Sequence, residues 1–184
     1  MITKLNISNL KLHDHTELNL NGLTILTGMN GMGKSTVIQS LILLRQSYMM
    51  NDLDAGLNLK GDLCDAGISG ELACQASNEH TMKIGMDFQG QDSLNYTFCY
   101  PDNILDTLLP GTDKNVTAKN ILSDYSLFNE NFQYLSAFRF GPQKSYNRDT
   151  SLVVSKKQIS KTMGQCEYAV HFLEQYKNLE IPIQ

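Results

Sequence analysis

Eight consecutive residues have the types and spacing of a phosphate-binding loop. The segment Gly28-Met29-Asn30-Gly31-Met32-Gly33-Lys34-Ser35 fits the pattern GxxxxGK[ST] in full. Glycines allow backbone conformations that a Cβ forbids, so consecutive N–H groups can converge on a phosphate. Chance is a poor explanation for a match this complete, and a glycine turn without a ligand is the less favoured alternative.

The side chains at the end of this segment supply charge and a metal ligand. Lys34 is expected to lie between the β- and γ-phosphates, and the Ser35 hydroxyl to bind Mg²⁺. Thr36 is expected at the α-phosphate. The predicted phosphate-binding residues are Gly28, Asn30, Gly31, Met32, Gly33, Lys34, Ser35 and Thr36.

The flanking residues predict the elements that position this loop. The apolar run Leu23–Thr27 predicts a buried strand that ends at the loop. After the loop, apolar residues recur at helical spacing, which predicts a helix from Lys34 to about Met50. Before it, alternation from Met1 to Ile7 and the short run Thr16–Leu20 predict two strands.

The rest of the chain divides into a predicted meander and a carboxy-terminal part. Period-two patterns at Glu71–Ala76, Met82–Phe88 and Leu94–Tyr100 predict three antiparallel strands. Tyr134–Phe138 predicts another strand, Ser145–Gly164 a polar mobile loop, and Ala169, Phe172, Leu173 and Tyr176 a helix. We therefore predict one incomplete α/β lobe over residues 1–184, in the parts 1–50, 70–100 and 134–184.

Composition limits the class of protein. The chain has 184 residues, 41% of them hydrophobic, and a formal charge of -4. It has no apolar run near the ~20 residues of a membrane span and no signal-peptide pattern, so a cytoplasmic protein is expected. The acidic balance is the wrong sign for DNA binding over the whole surface, so the basic residues Arg148, Lys156, Lys157 and Lys161 are interpreted as a solvated loop.

Two other classes of phosphate-loop protein compete for this sequence. Asp87-Phe88-Gln89-Gly90 has the DxxG form of a small GTPase, but the chain contains no NKxD motif for reading guanine. Asp87 also lies in an alternating strand instead of ending a buried apolar run. A small kinase fits less well, because no arginine-rich lid follows.

Several segments resemble a known family. Ile7-Ser8-Asn9-Leu10-Lys11, Leu18-Asn19-Leu20 and Asn30–Thr36 are similar to the start of SMC/RecF-like ATPases, with Leu10 replacing the usual Phe. The stretch Tyr134–Pro142 (YLSAFRFGP) is similar to one in bacterial AAA-type ATPases of anti-phage defence loci. Glu167–Val170 resembles their GEYA segment, with Cys166 in place of the glycine.

This resemblance implies the amino-terminal half of an ABC-type ATPase, with an α/β P-loop NTPase fold and ATP and Mg²⁺ as cofactors. Gln143 then becomes a candidate to contact Mg²⁺ or the attacking water, although Arg139 and Gln143 fit ordinary loop residues equally well. The implied partners are a second copy or a carboxy-terminal half of a split ATPase, a nuclease, and DNA through the assembly. No base-reading residue is identified, and His13 is expected on the surface.

The sequence contains no SGG[QE] signature, no apolar run ending in Asp-Glu (Walker B) and no switch histidine. Ile68-Ser69-Gly70-Glu71 is closest to the signature but is better explained as a turn. Hydrolysis needs a positioned water and a base besides phosphate binding. We therefore expect a truncated or split ATPase that binds nucleotide without useful hydrolysis, or alternatively a non-catalytic module in which nucleotide holds a dimer together.

Overall fold

The alternating residues at the amino terminus form the first hairpin of a four-stranded sheet. The structure is a computed structural model that describes residues 1–90, 92–112 and 122–179. Strand β1 (Ile2–Leu10) pairs antiparallel with β2 (His13–Asn19). Leu5 and Ile7 are fully buried, because every second side chain of β1 faces the core. Both predicted strands are thus confirmed, with the second beginning three residues earlier.

Helix α1 (Lys34–Met49) follows the glycine-rich loop, as predicted. Its apolar side chains Ile42, Leu43 and Leu44 are buried, whereas Ile38 is 48% exposed. Arg45 is buried too: it donates from Nη1 to the Leu127 carbonyl at 2.6 Å, and burial lowers the pKa of its guanidinium to about 10. Polar as well as apolar contacts therefore hold the second half of the helix in the first unit.

The remaining strands complete two sheets. After β3 (Gly56–Asn58), strands β4 (Thr81–Phe88) and β5 (Ser93–Cys99) form a hairpin with the predicted turn at Gln89–Gly90. The four-stranded sheet has the order β2-β1-β4-β5, and β3 pairs with β6 (Leu108–Pro110) in a separate two-stranded sheet.

The predicted first strand of the meander, Glu71–Ala76, is wrong. A 3₁₀ turn spans Ser69–Glu71, and turns follow it. Strand β1 takes the place beside β4, with Leu5 opposite Met86. Because β1 supplies that ladder, residues 71–76 have no strand to pair with. The turn also agrees with the interpretation that residues 68–71 are not a nucleotide signature.

The predicted buried strand Leu23–Thr27 is also wrong. This segment forms no strand, and the side chains of Leu23 and Ile25 are 80% and 72% exposed. A buried strand needs paired neighbours and covered faces. Among the described residues, no strand pairs with this segment, so its apolar pattern alone does not bury it.

The chain forms two compact units, Met1–Phe128 and Asn129–Gln184. The second holds a π-helical turn (Ser151–Ser155) and helix α2 (Ala169–Tyr176), which confirms the predicted helix. Since Val153 in the π-helical turn is fully buried, residues 145–164 are not simply a polar loop. Residues 180–184, the end of the predicted range 134–184, lie outside the described residues.

The predicted strand Tyr134–Phe138 is not formed in the second unit. The Ser136 N–H donates to the Gly164 carbonyl at 2.9 Å, and the Phe140 N–H donates to the Gln165 carbonyl at 3.0 Å. These acceptors lie at a bend where Gly164 has a φ of +68°, so the bonds do not extend into a ladder. Of the helices in the described ranges, none has the length and apolar character needed to cross a membrane.

The Asn9 side chain links four parts of the first unit. Asn9 is 1% exposed, and its Nδ2 donates to the carbonyls of Glu79 and Thr81 at 2.6 and 3.0 Å. Its Oδ1 accepts from the Cys74 N–H at 2.9 Å, and its carbonyl accepts from the Tyr100 hydroxyl at 2.5 Å. Burial raises the pKa of Tyr100, which keeps this hydroxyl protonated as a donor. The end of β1 is thereby held to two loops and to the residue after β5.

Removing the Asn9 amide should destabilise the first unit. Asn9→Gly tolerates the φ of +55° at this position but leaves the buried Cys74 N–H without its acceptor. We expect the free energy of unfolding to fall by about 2–3 kcal/mol, as measured by urea denaturation. The matched control, Asn19→Ala at the exposed end of β2, should change it by less than about 0.5 kcal/mol. Equal effects of the two changes would contradict this account of Asn9.

Candidate functional site

The glycine-rich loop has the backbone conformation that its sequence predicts. Gly28, Gly31 and Gly33 have φ angles of +143°, +83° and +79°, a region that residues with a Cβ rarely adopt. Gly33 is also the residue that caps α1. The predicted phosphate-binding residues Asn30, Gly31 and Met32 are exposed. The loop is therefore open at the amino-terminal end of a 16-residue helix.

Backbone donors are free for a ligand at this point. Among the described residues, no backbone carbonyl accepts from the N–H groups of Gly31 to Ser35. The next two, from Thr36 and Val37, donate to the Gly33 carbonyl at 2.9 and 3.2 Å and start the helix. Unpaired N–H groups at the positive end of a helix dipole bind anions, phosphate above all. The geometry therefore fits the phosphates of a nucleotide.

The Lys34 ammonium lies over the same loop. Its Nζ donates to the Gly28 carbonyl at 2.7 Å and to the Met29 carbonyl at 2.5 Å. An ammonium has three N–H donors, so one remains for a phosphate oxygen. The positive charge is thus held at the loop by the loop itself.

The two hydroxyl residues after Lys34 have different surroundings. Ser35 is exposed, so its hydroxyl can reach a bound metal ion. Thr36 is 7% exposed, and its N–H is already bonded to Gly33. The predicted contact between Thr36 and an α-phosphate stays a prediction.

The expectation that His13 lies on the surface is wrong. His13 is 8% exposed, with Nδ1 2.8 Å from Thr16 Oγ1 and Nε2 3.0 Å from the Gly33 carbonyl oxygen. A carbonyl only accepts, so Nε2 carries the hydrogen, and in the neutral ring Nδ1 accepts from Thr16. Sequence reasoning missed this residue because β2 begins three residues before the predicted strand, and His13 is at a position in the alternation whose next two members, His15 and Glu17, are exposed.

Comparison with known proteins assigns the chain to a family. A family model described as "AAA ATPase domain" matches residues 1–182. The chain is an AAA ATPase domain. No characterised protein was found that matches it. The match confirms the predicted AAA-type ATPase family and, with it, nucleotide binding as the general activity.

Gln143 lies in the second unit of this AAA ATPase domain. It is exposed, and its backbone N–H donates to the Tyr146 hydroxyl at 2.9 Å. Arg139 is exposed as well. The predicted role of Gln143 in binding Mg²⁺ or water stays a prediction.

The GEYA-like segment of the domain holds a loop in the second unit. The Glu167 carboxylate accepts hydrogen bonds from Ser160 Oγ (2.7 Å), Lys161 N–H (2.7 Å) and Thr162 N–H (2.9 Å). Burial by itself raises the pKa of Glu167, but these bonds and one from its own N–H outweigh it and lower the pKa. Glu167 is therefore a structural anion that organises residues 160–162.

Asp87, the residue behind the GTPase alternative, lies within β4. Its Oδ1 accepts from Ser93 Oγ at 2.7 Å across the β4–β5 hairpin. Its carbonyl accepts from Thr3 Oγ1 at 3.2 Å. These contacts give Asp87 a role within the sheet, which disfavours a metal-binding role.

Two of the four basic residues noted in the sequence are engaged by carboxylates. Arg148 forms an ion pair with Glu174, and Lys157 forms one with Glu130. These pairs favour the interpretation of a solvated surface over a nucleic-acid patch.

A side chain at Gly33 should disrupt the site. A Cβ there would lie 2.6 Å from His13 Nε2, and the positive φ alone costs a residue with a Cβ about 1–2 kcal/mol. We expect Gly33→Ala to lower the free energy of unfolding by at least this amount, measured by urea denaturation. Gly22→Ala is the control, since a Cβ at Gly22 meets nothing within 4 Å. A Gly33→Ala protein as stable as Gly22→Ala would refute this prediction.

Proposed function

We propose that this AAA ATPase domain binds ATP together with Mg²⁺ at Gly28–Thr36. The observation that carries the proposal is that one helix terminus holds both the Lys34 ammonium and the N–H groups of Gly31 to Ser35, which have no backbone acceptor among the described residues. Donors and charge of this kind are what a triphosphate needs. Family membership over residues 1–182 supports the same activity.

Each residue has a separate task in the proposed complex. The loop N–H groups hold the β-phosphate, and Lys34 gives its remaining N–H to a β- or γ-phosphate oxygen. The exposed Ser35 hydroxyl ligates Mg²⁺, which neutralises phosphate charge when it is bound. Thr36 lies below the loop, next to the α-phosphate. Gln143 is the candidate to contact either Mg²⁺ or the attacking water.

ATP is preferred over GTP in this proposal. The chain has no NKxD motif to read guanine, and Asp87 is bonded to Ser93 within the sheet. Similarity to SMC/RecF-like ATPases supports adenine as the base.

Hydrolysis in this proposal depends on groups from outside the chain. The sequence has no apolar run ending in Asp-Glu and no SGG[QE] signature, and without a base and a positioned water a bound ATP is stable. A carboxy-terminal half supplies these groups, in a cytoplasmic assembly that also holds a second copy of the ATPase and a nuclease that acts on DNA in phage defence or repair. The YLSAFRFGP and GEYA-like segments support this setting. The alternative is a non-catalytic module in which ATP only holds a dimer together.

Substitution of Lys34 tests the prediction that the loop binds ATP. We expect the chain to bind ATP in the presence of Mg²⁺ more tightly than GTP, as measured by calorimetric titration. Lys34→Ala should weaken ATP binding at least about tenfold, since hydrogen bonds to charged groups contribute about 1.5–3 kcal/mol.

The control is Lys60→Ala, a change of the same kind at an exposed lysine far from the loop in sequence. Its affinity for ATP should equal that of the wild type. A preference for GTP would revive the GTPase alternative, and equal ATP binding by wild type and Lys34→Ala would refute the proposed site.

Measurement of ATP turnover distinguishes the proposed ATPase from the non-catalytic alternative. The chain by itself should release phosphate from ATP at close to the uncatalysed rate, measured with a coupled phosphate assay. Adding a carboxy-terminal segment with Walker B and signature motifs should restore Lys34-dependent turnover if the enzyme proposal holds. Continued inactivity would favour the module, and Lys34-dependent turnover by the chain alone would contradict the need for outside groups.

A further inference from the structure

We propose that His13 is a positioning residue for the phosphate site: its Nε2–H fixes the Gly33 carbonyl and so directs the Lys34 N–H toward the bound phosphate. This inference rests on the proposed function, because it assigns a part of the same site. Sequence motifs do not include His13, which lies 20 residues before Gly33.

The peptide bond between Gly33 and Lys34 carries the argument. In a trans peptide, the carbonyl and the following N–H point in opposite directions. Fixing the Gly33 carbonyl toward His13 and the helix therefore directs the Lys34 N–H the other way, to the open side of the loop. This N–H is one of those without a backbone acceptor among the described residues.

Because Gly33 has no side chain, contacts with other residues must fix the orientation of the peptide that follows it. Gly33 has a φ of +79° and no side chain to restrict rotation of the peptide plane. Its carbonyl accepts from three donors, the N–H groups of Thr36 (2.9 Å) and Val37 (3.2 Å) and His13 Nε2 (3.0 Å). The first two belong to α1. The third, His13, belongs to β2 and ties the peptide to the sheet.

His13 is itself fixed from two sides. Thr16 Oγ1 lies 2.8 Å from Nδ1, and its hydroxyl can donate to Nδ1 when the Gly33 carbonyl takes the hydrogen on Nε2. The turn between β1 and β2 has a defined backbone conformation: Asn9 and Lys11 have φ angles of +55° and +53°, and Leu10 pairs with His13. A donor held in one orientation before the ligand arrives lowers the cost of binding.

The close approach of the two residues distinguishes this contact from general packing. A Cβ on Gly33 would lie 2.6 Å from Nε2 and 3.1 Å from Cε1, so the ring takes the space that any other residue would need. A residue that only filled space would need no donor. Here both ring nitrogens are bonded in a side chain that is 8% exposed.

The test compares three substitutions of His13 in the full chain. Gln carries an amide N–H₂ that reaches about as far as Nε2, Asn is one methylene shorter, and Phe keeps the ring without a donor. We expect His13→Phe and His13→Asn to weaken ATP binding about five- to tenfold, which is the loss of one hydrogen bond. His13→Gln should stay within about twofold of the wild type. If His13→Phe does not fold, the Gln and Asn pair decides alone.

His15→Phe is the matched control, because His15 lies two residues along β2 and is exposed. It should bind ATP as the wild type does. Amide NMR adds a readout that a general loss of stability would not produce: the Lys34 N–H resonance should shift on addition of ATP in the wild type and in His13→Gln, but much less in His13→Asn.

The outcomes separate the two proposals. If the wild type binds ATP and all three His13 variants bind equally well, the positioning role is wrong and the proposed function stands. If the Asn and Gln variants are weakened alike, the donor at the Nε2 position is not what matters, and the positioning role is again wrong. A wild type that does not bind ATP overturns both proposals.

Discussion

The buried amide of Asn9 holds the sheet, two loops and the corner before β2 in one arrangement. The amide bonds to backbone groups of residues 74, 79 and 81, and the Asn9 backbone carbonyl accepts from the Tyr100 hydroxyl. Such a network is stabilising only when every member is satisfied, so these segments depend on one another. The corner that follows Asn9 then brings His13 to the start of α1, and the phosphate loop depends on that placement.

The phosphate loop offers a ligand two kinds of hydrogen-bond donor, backbone N–H groups and the Lys34 ammonium. In the described part of the chain, the N–H groups from Gly31 to Ser35 have no backbone acceptor, whereas the Lys34 ammonium donates to two carbonyls of the loop. A triphosphate therefore meets a site whose donors need little rearrangement. The enclosed helix α1 holds one end of the loop, and the contact with His13 holds the Gly33 peptide against the sheet.

Local patterns predicted the elements whose contacts are close in sequence. The loop motif, helix α1, the separate strands β1 and β2, and the β4–β5 hairpin each follow from spacing, glycine chemistry or a turn. The wrong predictions depended on distant partners. Residues 71–76 have a strand pattern, but β1 occupies the position beside β4. Leu23–Thr27 and Tyr134–Phe138 have apolar patterns that find no ladder among the described residues. His13 was missed because its burial goes with a contact to Gly33, 20 residues further along the chain, which no strand periodicity reports.

The exposed segment before the loop has a consequence for binding strength. The Leu20 N–H still donates to the Thr3 carbonyl of β1 at 2.7 Å, but residues 21–27 pair with no strand in the described part of the chain. The carboxy-terminal side of the loop, in contrast, continues directly into α1. Ordering an unpaired segment reduces conformational entropy, and that loss counts against any ligand that requires it. A protein surface that paired with Leu23–Thr27 would remove part of this loss in advance. It would raise the affinity for nucleotide without touching the nucleotide, so that ligand and partner would favour each other's binding.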